Sequence, residues 1–137
     1  GVVVGVRRLE GRVMDASRFW RHLDELTASA RLVIDRPRGS THPRYPEWVY
    51  PLDYGYLEGT TAADGGGIDV YLGSIRPAEV GGVIVSVDLF KRDAEIKVLL
   101  GCTEEEMQVA LGNHNAASLG ATLVRRGGGG GRSPTGS

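Results

Sequence analysis

A single cysteine, Cys102, excludes an intrachain disulfide and any metal site built from cysteine alone. A lone thiol fits a reducing cytoplasm, which is the expected location. An excess of either charge is missing as well. Sixteen basic and seventeen acidic residues leave a formal net charge of −1, so no global field attracts nucleic acid or an anionic membrane, and neither is expected as a partner. Long apolar runs are also absent. The opening GVVVGVRRLEG is too brief for a membrane span and lacks the pattern of a secretory signal. No internal repeat is visible.

What the chain does have is ordinary globular composition, 41% hydrophobic and 24% charged, enough for one domain with a real core. That domain is expected over residues 1–126. The remainder, 127–137, reads GGGGGRSPTGS, has nothing apolar to bury, and is expected to be a flexible tail.

The most informative stretch is RYPEWVYPLDYGYLEGTTAADGGGIDVYL, residues 44–72. Asp64 and Asp69 flank Gly65, Gly66 and Gly67, and Ile68, Val70 and Leu72 alternate with Asp69 and Tyr71 as in a half-buried strand. A glycine triplet lets the chain turn tightly between the two carboxylates. If both face one pocket they repel unless a cation lies between them, and hard oxygen ligands suit Mg²⁺, with Mn²⁺ as an alternative. A polar hairpin loop is the competing reading of the same residues.

Taken in order, Asp15 is a candidate cap for an amphipathic helix over 16–29, with Phe19, Leu23 and Leu26 at helical spacing. His22 is read as a surface or half-packed residue, and neither it nor Trp20 is a site candidate. Arg31 to Asp35 reads as a strand, ended by Pro37 and Gly39. The loop RPRGSTHPRYP then offers Arg36, Arg38 and Arg44 beside hydroxyls and backbone amides, a composition that suits either an oxyanion or plain solvent. Trp48 to Tyr56 suggests a strand, a bend and a second strand. Strands over 83–89 and 95–100 form a hairpin with Asp88, Asp93 and Glu95 near its tip and Lys97 a step beyond. Thr103 and Glu106 are a capping box for a helix over 104–117, and 121–126 is a last short strand.

The order of these motifs resembles the soluble (family I) inorganic pyrophosphatases. LVIDRPRGSTHPRY is similar to that family's strand and Pro-Lys-Gly-Ser loop ending in Lys-Tyr-Glu. YPLDYGYLEGT is similar to its Tyr-Pro-x-Asn-Tyr-Gly segment, and ADGGGIDVYL to its Asp-Gly-Asp-Pro-x-Asp signature. The likeness covers roughly residues 31–100 and extends to a shorter, divergent branch with the same Asp-Arg-Pro-x-Gly-Ser-x-His-Pro opening.

The resemblance implies a mainly β fold with flanking helices, an α+β domain whose strands close into a small OB-like barrel. It implies Mg²⁺-dependent hydrolysis of pyrophosphate or another phosphoanhydride by a metal-activated water. Carried over by position, Asp64, Asp69, Asp88 and either Asp93 or Glu95 hold Mg²⁺; Asp64, Asp69 and Tyr54 serve catalysis; Arg38, Arg44, Tyr50 and Lys97 hold substrate. Arg125 and Arg126 are candidates for a late cationic pair. Gly66 stands where the family's signature has its middle aspartate, which engages the attacking water. A phosphate- or nucleotide-binding module without catalysis is therefore the alternative. An OB-type nucleic-acid binder is disfavoured by the neutral charge. Homo-oligomerisation is left open.

Overall fold

A computed structural model describes residues 16–127; Asp15, the N-terminal segment and nearly all of the glycine-rich tail lie outside the described residues. Eight elements follow in the order α1 (Ser17–Ser29), β1 (Leu32–Arg36), β2 (Asp53–Leu57), β3 (Ile68–Leu72), β4 (Val80–Asp88), β5 (Asp93–Leu100), α2 (Glu104–Gly112) and β6 (Leu119–Arg125). The strands form a six-stranded sheet in the order β1-β2-β3-β5-β4-β6. Neighbours are antiparallel except β3 and β5, which run parallel.

The sheet does not close. β1 and β6 stand at its two ends, and an apolar cluster lies on each face instead of in one enclosed interior. Strand alternation explains this: successive side chains leave opposite faces, so Val70, Val83 and Val98 meet Trp20 and Leu23 of α1 on one side. Tyr71, Ile84 and Leu99 meet Met107 and Ala110 of α2 on the other. The closed barrel expected from sequence is thus corrected to an open sheet between two helices.

In α1 the inward positions are Trp20 and Leu23, whereas Phe19 and Leu26 are exposed. The expected apolar face is rotated by one residue because the larger indole buries more surface when turned to the sheet. The capping box of α2 is present: Thr103 Oγ1 accepts from the Glu106 amide at 3.1 Å, and Glu106 Oε1 accepts from the Thr103 amide at 2.9 Å. That helix ends at Gly112, five residues earlier than expected. The Asn113 amide reaches Ala110 at 3.1 Å and the His114 amide reaches Leu111 at 2.9 Å, a tightened last turn that satisfies the terminal carbonyls.

Gly55 in β2 sets the spacing of β1 and β2, since a Cβ there would collide with the Val33 carbonyl. The segment between these strands is an ordered tongue. Gly39 donates to Tyr50 O at 2.8 Å, Tyr50 to Ser40 O at 2.9 Å and His42 to Trp48 O at 2.9 Å, with Thr41 and Val49 bridged.

Candidate active site on the sheet face

Register places the chemistry. The parallel ladder sets Asp69 opposite Lys97, and β4 sets Ile84 opposite Lys97 and Ser86 opposite Glu95. Asp69, Glu95 and Lys97 therefore share the face that α2 covers. The Lys97 ammonium donates to Asp69 Oδ2 at 3.0 Å and to Glu95 Oε1 at 2.9 Å. Its side chain is only 7% exposed. Burial alone would depress the lysine, but the Asp69 charge and the hydrogen bonds to both acids outweigh it and raise the ammonium above its ordinary value. Lys97 is cationic throughout the physiological range.

Asp64 joins this group from the exposed glycine loop. Its Oδ1 accepts from the Gly66 amide at 2.9 Å. That bond, together with Glu95 and the charge of Lys97 nearby, holds Asp64 below the usual carboxylate range. Three predicted acids, Asp64, Asp69 and Glu95, are thus gathered near one buried cation. Asp93 is not, because it lies four residues from Lys97 along β5, about 13 Å at the usual strand rise. Asp88 faces Asp93 across the hairpin. Its Oδ1 accepts from Phe90 at 2.8 Å, Lys91 at 3.2 Å and Ser118 Oγ at 2.9 Å, so it serves the turn. Between the two alternatives at the hairpin, Glu95 and not Asp93 stands at Lys97. Among the described residues no group of three or more His, Cys, Asp or Glu side chains is arranged to hold a metal ion.

Tyr54 lies beside the cation, with Lys97 Nζ 5.9 Å from its ring centroid. Burial first, and then the Asp69 charge, push its hydroxyl far above the ordinary tyrosine value. Tyr54 is a permanent hydrogen-bond donor and not a base. Tyr50 is buried and stacks on Tyr54 at 5.1 Å and 25°. Tyr71 continues the array at 4.7 Å from Tyr54 and shares a 2.8 Å hydrogen bond with His114 Nε2.

The cationic loop is divided. Arg38 uses its backbone amide to reach Asp53 Oδ1 at 2.8 Å, and its side chain is exposed. Arg44 is exposed, and its guanidinium has no hydrogen bond or ion pair among the described residues. Arg36, one of the three cations that the sequence offered for an oxyanion, is paired with Tyr54 across β1 and β2 and so shares the Lys97 face, while its Nη1 donates to Asp35 O at 3.3 Å. Its buried Nε has no partner. The signal for Arg36 was its place at the strand end, where a register shift between Ile34 and Arg36 returns it to the Tyr54 row. Tyr71 and His114 were missed; Tyr71 alternates in phase with Asp69, whereas only folding brings His114 to it.

Arg125 and Arg126 are engaged elsewhere. Arg125 Nε donates to Glu104 at 2.8 Å, and Arg126 forms a two-pronged pair with Asp24 at 2.8 Å per prong. Arg126 and Asp24 line a cleft of about 540 Å³ beside α1, with Glu79 and Val80. Cys102 is buried, and burial pushes its thiol up to about 12, which leaves it unreactive.

Neither a family model nor a curated protein matches the sequence. Among solved structures, this chain is similar to an inorganic pyrophosphatase from Neisseria gonorrhoeae, with a TM-score of 0.56 and 18% identity over 69% of this chain and 80% of that one. The inorganic pyrophosphatase from Helicobacter pylori gives a TM-score of 0.48 and 13% identity over 69% of this chain and 81% of that one. The protein from Coxiella burnetii gives 0.46 and 14% over 67% and 81%. With the mixed six-stranded sheet and its two flanking helices, the likeness to the Neisseria structure identifies the architecture as a divergent inorganic-pyrophosphatase-like fold.

Proposed function

We propose that the chain binds magnesium pyrophosphate, or another phosphoanhydride, on the sheet face around Lys97 and hydrolyses it to phosphate. The observation that carries this reading is the convergence of Asp64, Asp69 and Glu95 on a buried lysine beside Tyr54, in a pyrophosphatase-like fold.

The donor set fits Mg²⁺ in one form. Mg²⁺ is commonly held by one or two carboxylates and completed by water and substrate phosphate oxygens. Asp64 and Glu95 offer such a pair, and Asp69 keeps Oδ1 free of the lysine. A cup of four acids does not fit, since Asp88 and Asp93 lie at the hairpin tip. When bound, Mg²⁺ would supply Lewis-acid neutralisation of phosphate charge and acidify water.

The chain's own residues supply the rest. Lys97 and Arg36 place two cations on one face for phosphate oxygens, and Arg36 has a buried donor still to satisfy. Tyr54 donates a hydrogen bond to the same group. Gly66 leaves no side chain where the signature has its middle aspartate, so the attacking water lacks a dedicated side-chain base and turnover is slow.

The test is phosphate release from pyrophosphate with Mg²⁺ and with chelator. Slow release that needs Mg²⁺ and disappears in Asp69→Asn supports the reading; no release under any condition removes the enzyme assignment. A binding module without catalysis is the second reading. It is favoured by Gly66, which puts no side chain where the signature has its middle aspartate. Pyrophosphate binding without release would establish it.

A further inference from the structure

The tongue between β1 and β2 carries an aromatic array that pyrophosphate alone would not use. Tyr45 and His42 lie 5.1 Å apart, His42 and Tyr50 are nearly parallel at 6.5 Å and 16°, and Tyr50 stacks on Tyr54. Tyr54 in turn adjoins Lys97. The outer end is open: Tyr45 is 48% exposed. His42 is fixed there, since its Nδ1 accepts from the Arg44 amide at 3.0 Å and the Tyr45 amide at 3.3 Å.

Donors without acceptors lie along the same stretch of chain. Trp48 Nε1 and Arg36 Nε are buried and unpartnered, and the Arg44 guanidinium is free among the described residues. Indole and guanidinium groups can only donate. A buried donor left unsatisfied costs free energy that an incoming acceptor recovers. The matching ligand is rich in acceptors at both ends and flat at one of them.

We infer that this face takes a nucleoside di- or triphosphate, its base against His42 and Tyr45 and its phosphates toward Arg36 and Lys97. The inference rests on the proposed phosphoanhydride site and names its substrate class. Phosphate oxygens meet the arginines, while the base supplies the π-surface and ring nitrogens that pyrophosphate lacks.

Titration calorimetry with ADP, ATP and pyrophosphate, each with Mg²⁺, tests it on the wild type, Tyr45→Ala and Tyr45→Phe. A nucleotide should bind more tightly than pyrophosphate. Tyr45→Ala should weaken it about 5- to 150-fold, the range for loss of one base–aromatic stack. Tyr45→Phe should restore it, and pyrophosphate affinity should be unchanged in both. The exposed ring makes Tyr45→Ala a mild change for folding, and a melting curve checks this. Pyrophosphate binding with no advantage for ADP or ATP overturns the inference and leaves the phosphoanhydride site standing. Equal losses for all ligands in Tyr45→Ala overturn it also. Failure of every ligand to bind the wild type overturns both.

Discussion

Lys97 Nζ and Asp69 Oδ2 lie 3.0 Å apart across the parallel ladder of β3 and β5, with Glu95 Oε1 on the lysine's other side at 2.9 Å. The pair is largely buried, so removing one partner strands the other. Lys97→Met should cost about 3–5 kcal/mol by leaving carboxylates unpaired in a dry setting. The double variant Lys97→Met/Asp69→Asn should regain part of that loss. Urea unfolding of the cycle checks this, and strictly additive effects would show the pair to be uncoupled.

Acid should loosen the fold through His114. Burial, with the charge of Lys97 as a smaller contribution, holds this imidazole down to about 4 against an ordinary value of 6.5. The unfolded chain then binds a proton that the folded chain refuses. The stabilisation is complete above pH 6.5 and is lost as pH falls toward 4, up to about 3 kcal/mol. His114→Gln should flatten the decline between pH 6.5 and 5. An identical decline in wild type and variant would place its cause elsewhere.

The glycine triplet separates into distinct positions. Gly65 has φ +90°, which a side chain resists, while a Cβ on Gly66 would meet only Asp64 Oδ1 at 3.4 Å. Gly65→Asp should lower stability by about 1–2 kcal/mol. Gly66→Asp should fold normally and, by adding a carboxylate beside Asp64, raise phosphate release from pyrophosphate. A stable Gly66→Asp protein with no gain over the parent would argue against a missing base.

The capping box gives a local test of the fold. Thr103→Ala removes the acceptor of the Glu106 amide at the start of α2 and should cost about 1 kcal/mol. Thermal melting reads this, with no change expected at Lys97.

Strand phase was legible in the sequence wherever side chains alternate cleanly. β3 and the β4–β5 hairpin form where the alternation of Ile68, Val70 and Leu72 and of Val83, Val85 and Val87 puts them. The same period of two puts Glu95 and Lys97 on one side of β5. What periodicity cannot supply is which strand lies next to which. The β3–β5 neighbourhood joins Asp69 to Lys97 over 28 residues, and the hairpin itself leaves Asp88 and Asp93 at the far end. Barrel closure was carried by resemblance and not by pattern. The face that Arg36 takes was hidden by a register shift, which moves a side chain from one face to the other without changing its local sequence.

The face around Lys97 is where the phosphoanhydride should bind. Titration calorimetry of pyrophosphate with Mg²⁺ into wild type, Lys97→Met and Arg125→Met is the test, because Arg125 is tied to Glu104 on the edge strand β6, with β4 between it and Lys97. Binding by wild type and Arg125→Met with a loss of at least about 10-fold in Lys97→Met, about 1.4 kcal/mol, is the predicted result. Equal affinity in folded Lys97→Met, or no binding by the wild type, would contradict it.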